Sequence, residues 1–154
     1  MKIISNLIEA HIFRRSGNEK IEFLILKRVQ DGPYPNIWQM VTGAIHENEK
    51  AYKTAIREIK EETGLVPLRM WTLPNINSFY SSEDDCIFMI PVFAVEVKIN
   101  DLVTLSSEHS EFNWIDKDEM IKLLAWPGQK KSVEILSEYL TSENEFMKLV
   151  QIKL

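Results

Sequence analysis

Residues 50–63, "KAYKTAIREIKEET", leave little freedom in how they fold. Tyr52, Ile56, Ile59 and Thr63 recur at spacings of three and four, with Ala55 beside them, which predicts a helix. Gly64 directly after the pattern is a C-terminal stop. At roughly 100° per residue, Glu58, Glu61 and Glu62 share an arc of about 100°, and the apolar arc is centred well away from it. One face is expected to pack inward and a separate face to carry three acids.

Such an arrangement is locally unfavourable. Like charges three and four residues apart repel by a few tenths of a kcal/mol per pair. They also lie near the helix C-terminus, where the macrodipole disfavours anions. A solvated acidic face, or one that meets a basic protein, is the bland explanation. A hard divalent cation is the other, because converging carboxylates supply the oxygen ligands that Mg²⁺ and Mn²⁺ prefer.

The rest of the chain predicts a mixed α/β domain spanning 1–154. Strands are expected over 2–13, 20–29 and 38–42, the first two joined by the turn residues of "RRSGNE" and the third preceded by the loop "DGPYPN". Two long strands follow in "LRMWTLPNINSFYS" and "DCIFMIPVFAVEVK", each with a proline that suggests a bend or an edge. "SEHSEFNWID" reads as a loop running into a short strand. Asp116 with Glu119 makes a capping box for a helix over 117–124. "WPGQ" is expected to break that helix, and another to run over 130–141. The tail from Ser142 is ambiguous.

The net charge of −5 argues against a nucleic-acid polymer as partner and leaves room for a small phosphorylated substrate brought with a metal ion. The lone Cys86 lies in an apolar run and reads as a buried structural thiol. No stretch is apolar enough to span a bilayer and no signal peptide is evident, so a cytoplasmic location is expected, with no membrane partner. Monomer and homodimer both remain open.

Gly43, Glu49, Arg57, Glu58, Ile59, Glu61, Glu62, Gly64 and Leu65 together resemble the Nudix box: Gly, five residues, Glu, seven residues, Arg-Glu, an aliphatic, any residue, Glu-Glu, any residue, Gly, an aliphatic. The resemblance implies an α/β/α sandwich with a mixed sheet and a loop–helix–loop box. It also implies a Mg²⁺- or Mn²⁺-dependent hydrolase acting on a nucleoside diphosphate linked to another moiety. It assigns Glu58, Glu62 and Glu61 as metal ligands, with the Gly43 carbonyl beside them. Arg57 would orient a neighbouring carboxylate, Glu49 or Glu58. Asn48 stands where many members have glycine, and Asn tolerates the left-handed conformation the loop needs.

A weaker similarity, to bacterial dihydroneopterin triphosphate pyrophosphatases, covers most of 20–135. It rests on Arg28, on Trp38, Gln39, Val41 and Thr42 before Gly43, and on Ser107-Glu108-His109 with Trp114 and Asp116. The loop offers Glu108 and Glu111, and the similarity implies Glu108 as a further ligand or base, in competition with a plain loop acid. Arg28, Lys27 and Thr42 become candidates for the substrate side. Phe79, Tyr80, Trp38, Trp114 and Trp126 are aromatic candidates for stacking, core packing being the commoner use. The expected reaction is hydrolysis of a nucleoside or pterin triphosphate to a monophosphate and pyrophosphate. A dinucleoside polyphosphate hydrolase is the alternative, favoured by Tyr80 sixteen residues after Gly64, and a non-catalytic nucleotide sensor is the other.

Overall fold

A computed structural model of the chain describes residues 1–142 and 145–154. Its strands are β1 (Lys2–Ile4), β2 (Leu7–Arg15), β3 (Ile21–Arg28), β4 (Trp38–Gln39), β5 (Val41–Ala44), β6 (Arg69–Ser81), β7 (Cys86–Glu96), β8 (His109–Ile115) and β9 (Gln151–Ile152). All join one sheet of order β4-β3-β2-β7-β6-β9, with β8 on β3, β5 on β2 and β1 on β7. β7 runs parallel to β1 and β2, and the other pairings are antiparallel, so the sheet is mixed.

Side chains alternate across the sheet and feed two cores. Ile8, Ala10, Ile12, Leu24, Leu26, Phe93 and Val95 pack on one face, against Ala55 and Ile59 of α1 (Ala51–Thr63). Phe13, Phe23, Ile25, Val92 and Ala94 pack on the other. They meet Met120 of α2 (Lys117–Leu123) and Val133, Leu136 and Leu140 of α3 (Pro127–Thr141). The result is the expected three-layer α/β/α sandwich.

Several boundaries differ from the sequence reading. The run 2–13 is two strands, because β1 pairs with residues 86–88 of β7 while β2 pairs with 92–96 further along it. Residues 38–42 also divide: β4 pairs with β3 and β5 with β2. "WPGQ" does not precede the last long helix but begins it. Pro127 occupies its first turn, where a missing N–H costs nothing. The proline bend is borne out in β6, whose register with β7 shifts between Thr72 and Ile76, around Pro74. Asp116 caps α2 by accepting the Glu119 N–H at 2.9 Å. Residues 145–150 of the tail form a 3-10 helix, and β9 then closes onto β6. No described helix is long and apolar enough to cross a membrane.

Candidate active site

The acids are carried by α1, and the helix stops where predicted. Gly64 adopts φ 72, the left-handed cap, and its N–H donates to the Lys60 carbonyl at 3.0 Å. The expected separation of an apolar face from an acidic face does not hold. The buried residues are Thr54, Ala55, Ile59, Glu62 and Thr63, while Tyr52 and Ile56 are only half-buried. Glu62 therefore lies in the middle of the inward face and is 4% exposed. The cause is tertiary. The segment before β8 closes over the end of α1, where Thr104 N–H donates to the Thr63 carbonyl at 2.8 Å and Ser106 N–H to the Glu62 carbonyl at 3.2 Å.

Arg57 organises the rest of the cluster. It donates to both oxygens of Glu49, each at 3.0 Å, to Glu58 Oε1 at 2.7 Å, to Glu61 Oε2 at 3.3 Å and to the Ala44 carbonyl at 3.0 Å. One planar guanidinium thus links the loop before α1 to three acids, a task its fork geometry suits and an ammonium does not. These bonds, joined by one from Thr54 Oγ1, hold the Glu49 carboxyl down to about 2. Asn48 has φ 64, so the asparagine takes the left-handed turn that brings Glu49 round to Arg57. On β5, a Cβ added to Gly43 would overlap Glu58 Cγ and Cδ. Glycine is needed there because the Glu58 side chain lies directly on the strand.

The remaining acids are destabilised as anions. Burial, then the charges of Glu108 and Glu58, push Glu62 up to about 9. Burial also raises Glu58, offset in part by Arg57 and reinforced by Glu61 and Glu108. Glu62 Oε2 is buried without a hydrogen-bond partner. Among the described residues, no three His, Cys, Asp or Glu side chains are already converged into a cage. The donor chemistry nevertheless fits a hard divalent cation: an unpartnered buried oxygen, neighbouring carboxylates and an adjacent backbone carbonyl, all oxygen. Cation charge is what would lower both raised carboxyls.

The structure sorts the other candidates. Glu108 acts electrostatically on both Glu58 and Glu62, and its carbonyl accepts the Val29 N–H at 3.0 Å, which ties its turn to the end of β3. Glu111 is instead engaged by Lys27 at 3.2 Å. Arg28 lies close enough to Glu62 and His109 to influence both, and its Nε donates to the Pro33 carbonyl at 2.7 Å. Lys27 pairs with Glu111 and sits 5.7 Å from the Trp38 ring centre. Thr42 pairs with Glu9 across β5 and β2, beside Gly43.

Of the aromatics, Trp114 lies beneath Arg14 and Phe79 stacks on Phe88. Tyr80 donates its hydroxyl to Asp85. Trp126 is half-exposed and meets Tyr34 edge to face.

Two features escaped the sequence reading. His109, which offers no metal spacing, is buried between Glu62 and Gln39. On the other face of the sheet, buried Glu9 accepts from Asn77 at 3.0 Å and Gln129 at 3.2 Å. The signal for the latter was a lone carboxylate in the apolar run "NLIEAHIF".

Residues 7–137 match the family model of the NUDIX domain. The chain is 26% identical over 141 residues to the rat bis(5'-nucleosyl)-tetraphosphatase [asymmetrical], covering 88% of this chain and 92% of that protein. It is 33% identical over 119 residues to the dihydroneopterin triphosphate diphosphatase of Haemophilus influenzae, covering 73% and 68%. It is also 28% identical over 124 residues to an octanoyltransferase of Myxococcus xanthus; that match takes in 80% of this chain but only 34% of the relative's length. The crystal structure of a C. elegans Ap4A hydrolase superposes with a TM-score of 0.74 at 22% identity, covering 90% of this chain and 98% of that one, a likeness of fold.

Proposed function

This chain belongs to the Nudix hydrolase family, enzymes of phosphoanhydrides, and on that premise we propose that it hydrolyses a nucleoside or pterin triphosphate to a monophosphate and pyrophosphate. The observation that carries this reading is the buried, unpartnered Glu62 at the centre of an otherwise complete acidic box. Sensor domains of this family characteristically lose box carboxylates, and here all are present, with Glu49, Glu58 and Glu61 held by Arg57.

Glu58, Glu62 and Glu61, with the Gly43 carbonyl and Glu108, are the proposed ligands of Mg²⁺, for which Mn²⁺ substitutes. The bound cation supplies charge neutralisation for the phosphates and lowers the pKa of water. The chain's own residues do the rest. Arg57 keeps Glu58 and Glu61 in place, and Glu58 or Glu108 accepts the proton as water attacks phosphorus. Arg28, on the acid side of β3, pairs with phosphate oxygens through its fork. Thr42 lines the strand beside Gly43. The P–O anhydride bond breaks and the pyrophosphate departs with the electron pair.

A second reading, hydrolysis of a dinucleoside polyphosphate, is favoured by the near full-length similarity to the rat tetraphosphatase and by the half-exposed Tyr34–Trp126 pair, which offers a stacking surface for a second base. A screen of nucleoside triphosphates, dihydroneopterin triphosphate and dinucleoside polyphosphates, with pyrophosphate and orthophosphate measured separately, separates the two. Pyrophosphate release from triphosphates is expected. Turnover confined to dinucleoside polyphosphates would select the second reading, and none with any substrate in Mg²⁺ or Mn²⁺ would leave a sensor.

A further inference from the structure

His109 opens β8 opposite Arg28, with its side chain wholly buried. Its Nε2 faces Gln39 Nε2 at 3.4 Å, and its Nδ1 faces Glu62 Oε2 at 3.9 Å. Neither Nδ1 nor Glu62 Oε2 has a hydrogen-bond partner. We propose that His109 is a positioning residue for the acidic site, its Nδ1–H held toward Glu62 in a tautomer set by Gln39. The inference rests on the proposed role of Glu62 as a metal ligand.

The argument is one of donors and acceptors. An amide NH₂ has only protons to offer, so the ring nitrogen facing it must accept. A neutral imidazole carries a single N–H, which then has to be at Nδ1. A doubly protonated ring would likewise set an N–H against the Gln39 NH₂, so the same contact selects the neutral form. In the Mg²⁺-loaded protein, where Glu62 is ionised, the opposite tautomer would face N–H against NH₂ on one side and a lone pair against a carboxylate on the other. It would convert one satisfied contact into two repulsive ones.

The observed 3.9 Å separation is roughly 1 Å longer than a hydrogen bond. A buried donor and a buried acceptor facing each other, each otherwise unpaired, are costly apart and favourable together. A neutral ring is also the better partner here. It directs Glu62 Oε2 without neutralising the carboxylate, and leaves Oε1 to meet a cation. Histidine serves because the gap between β4 and α1 must be bridged by a rigid plane with two opposed polar atoms.

The tautomer can be read from imidazole ¹⁵N–¹H correlations of the Mg²⁺-loaded protein. An Nδ1-protonated His109 is expected, and an Nε2-protonated ring would overturn the proposal. Mn²⁺ titrations followed by the electron paramagnetic resonance of the free ion test the consequence without turnover. His109→Gln, whose amide mimics Nε2, is expected to weaken Mn²⁺ binding about 10–100-fold, and His109→Asn, whose amide mimics Nδ1, by no more than about 3-fold. Equal losses in both variants would overturn the positioning role. If either His109 variant melts abnormally in EDTA, Gln39→Leu provides the second route. It leaves the ring in place, is expected to weaken Mn²⁺ binding and lose the single tautomer, and unchanged affinity and tautomer would overturn the proposal. Absence of Mn²⁺ binding by the unmodified protein would instead remove the ligand role of Glu62 itself.

Discussion

Arg57 and Glu49 are joined by two parallel hydrogen bonds, Nε to Oε1 and Nη2 to Oε2, each 3.0 Å long. This fork fastens the loop after β5 to the second turn of α1. It leaves Nη1 to hold Glu58 and Glu61, so the loop and the acids are set by one side chain.

Lysine at position 57 keeps the charge but cannot make the fork. Arg57→Lys is expected to lower kcat by about 10–100-fold while the far-ultraviolet circular dichroism is unchanged. Glu49→Gln is expected to do much the same, and the double variant little more, because both break one unit. Additive losses in kcat would show that the two act separately.

Glu49 also shapes the acid limb of stability. Its folded pKa of about 2 lies below its ordinary value of 4.5, so its contribution is present above about 4.5 and is lost as pH falls toward 2. In Glu49→Gln, that part of the decline in urea midpoint between pH 5 and 2 is expected to vanish.

Glu62 acts with the opposite sign. Its folded pKa, pushed up to about 9, exceeds its ordinary 4.5, so the folded chain holds a proton that the unfolded chain releases. Stability without metal is therefore complete below about 4.5 and falls as pH rises toward 9. Glu62→Gln is expected to abolish turnover and, at pH 8 in EDTA, to stabilise the chain by about 2 kcal/mol, or roughly 4–8 °C in melting temperature. A lower melting temperature than the unmodified protein in EDTA would refute this account.

Gly43→Ala sets a Cβ on the Glu58 side chain. Displacing that carboxylate is expected to remove most turnover, and overpacking to cost about 1–3 kcal/mol. Activity near that of the unmodified protein would mean Glu58 need not sit where it does.

The two acids of the β8 region have different fates. Glu108 acts electrostatically on Glu58 and Glu62, whereas Glu111 is paired with Lys27. Glu108→Gln is expected to lower kcat by about 10²–10⁴-fold if it serves as base, with Glu111→Gln within about 3-fold of the unmodified enzyme. The reverse ranking, measured by pyrophosphate release, would exchange their roles.

Much of the architecture was legible because it is local. Period and cap placed α1 between Lys50 and Gly64, the capping box placed Asp116, and Asn48 marked a left-handed turn. The resemblance to the Nudix box likewise picked out Arg57 and its acids. What misled was locality applied too far. Pro127 looked like a break but begins a helix. The apolar run 2–13 looked continuous but serves two segments of β7.

By itself the amino-acid order determined a helix with three carboxylates toward its end and a glycine that stops it, because spacing along a helix follows from backbone geometry alone. Only the packed chain decided that Glu62 would be buried, that Glu108 rather than Glu111 would join it, and that His109 and Gln39 would lie behind it. Those outcomes depend on the segment before β8 folding over the end of α1, and a contact between residues 62 and 109 leaves no periodic trace in either segment. Burial then converts a row of ordinary surface acids into a site whose charge calls for a cation.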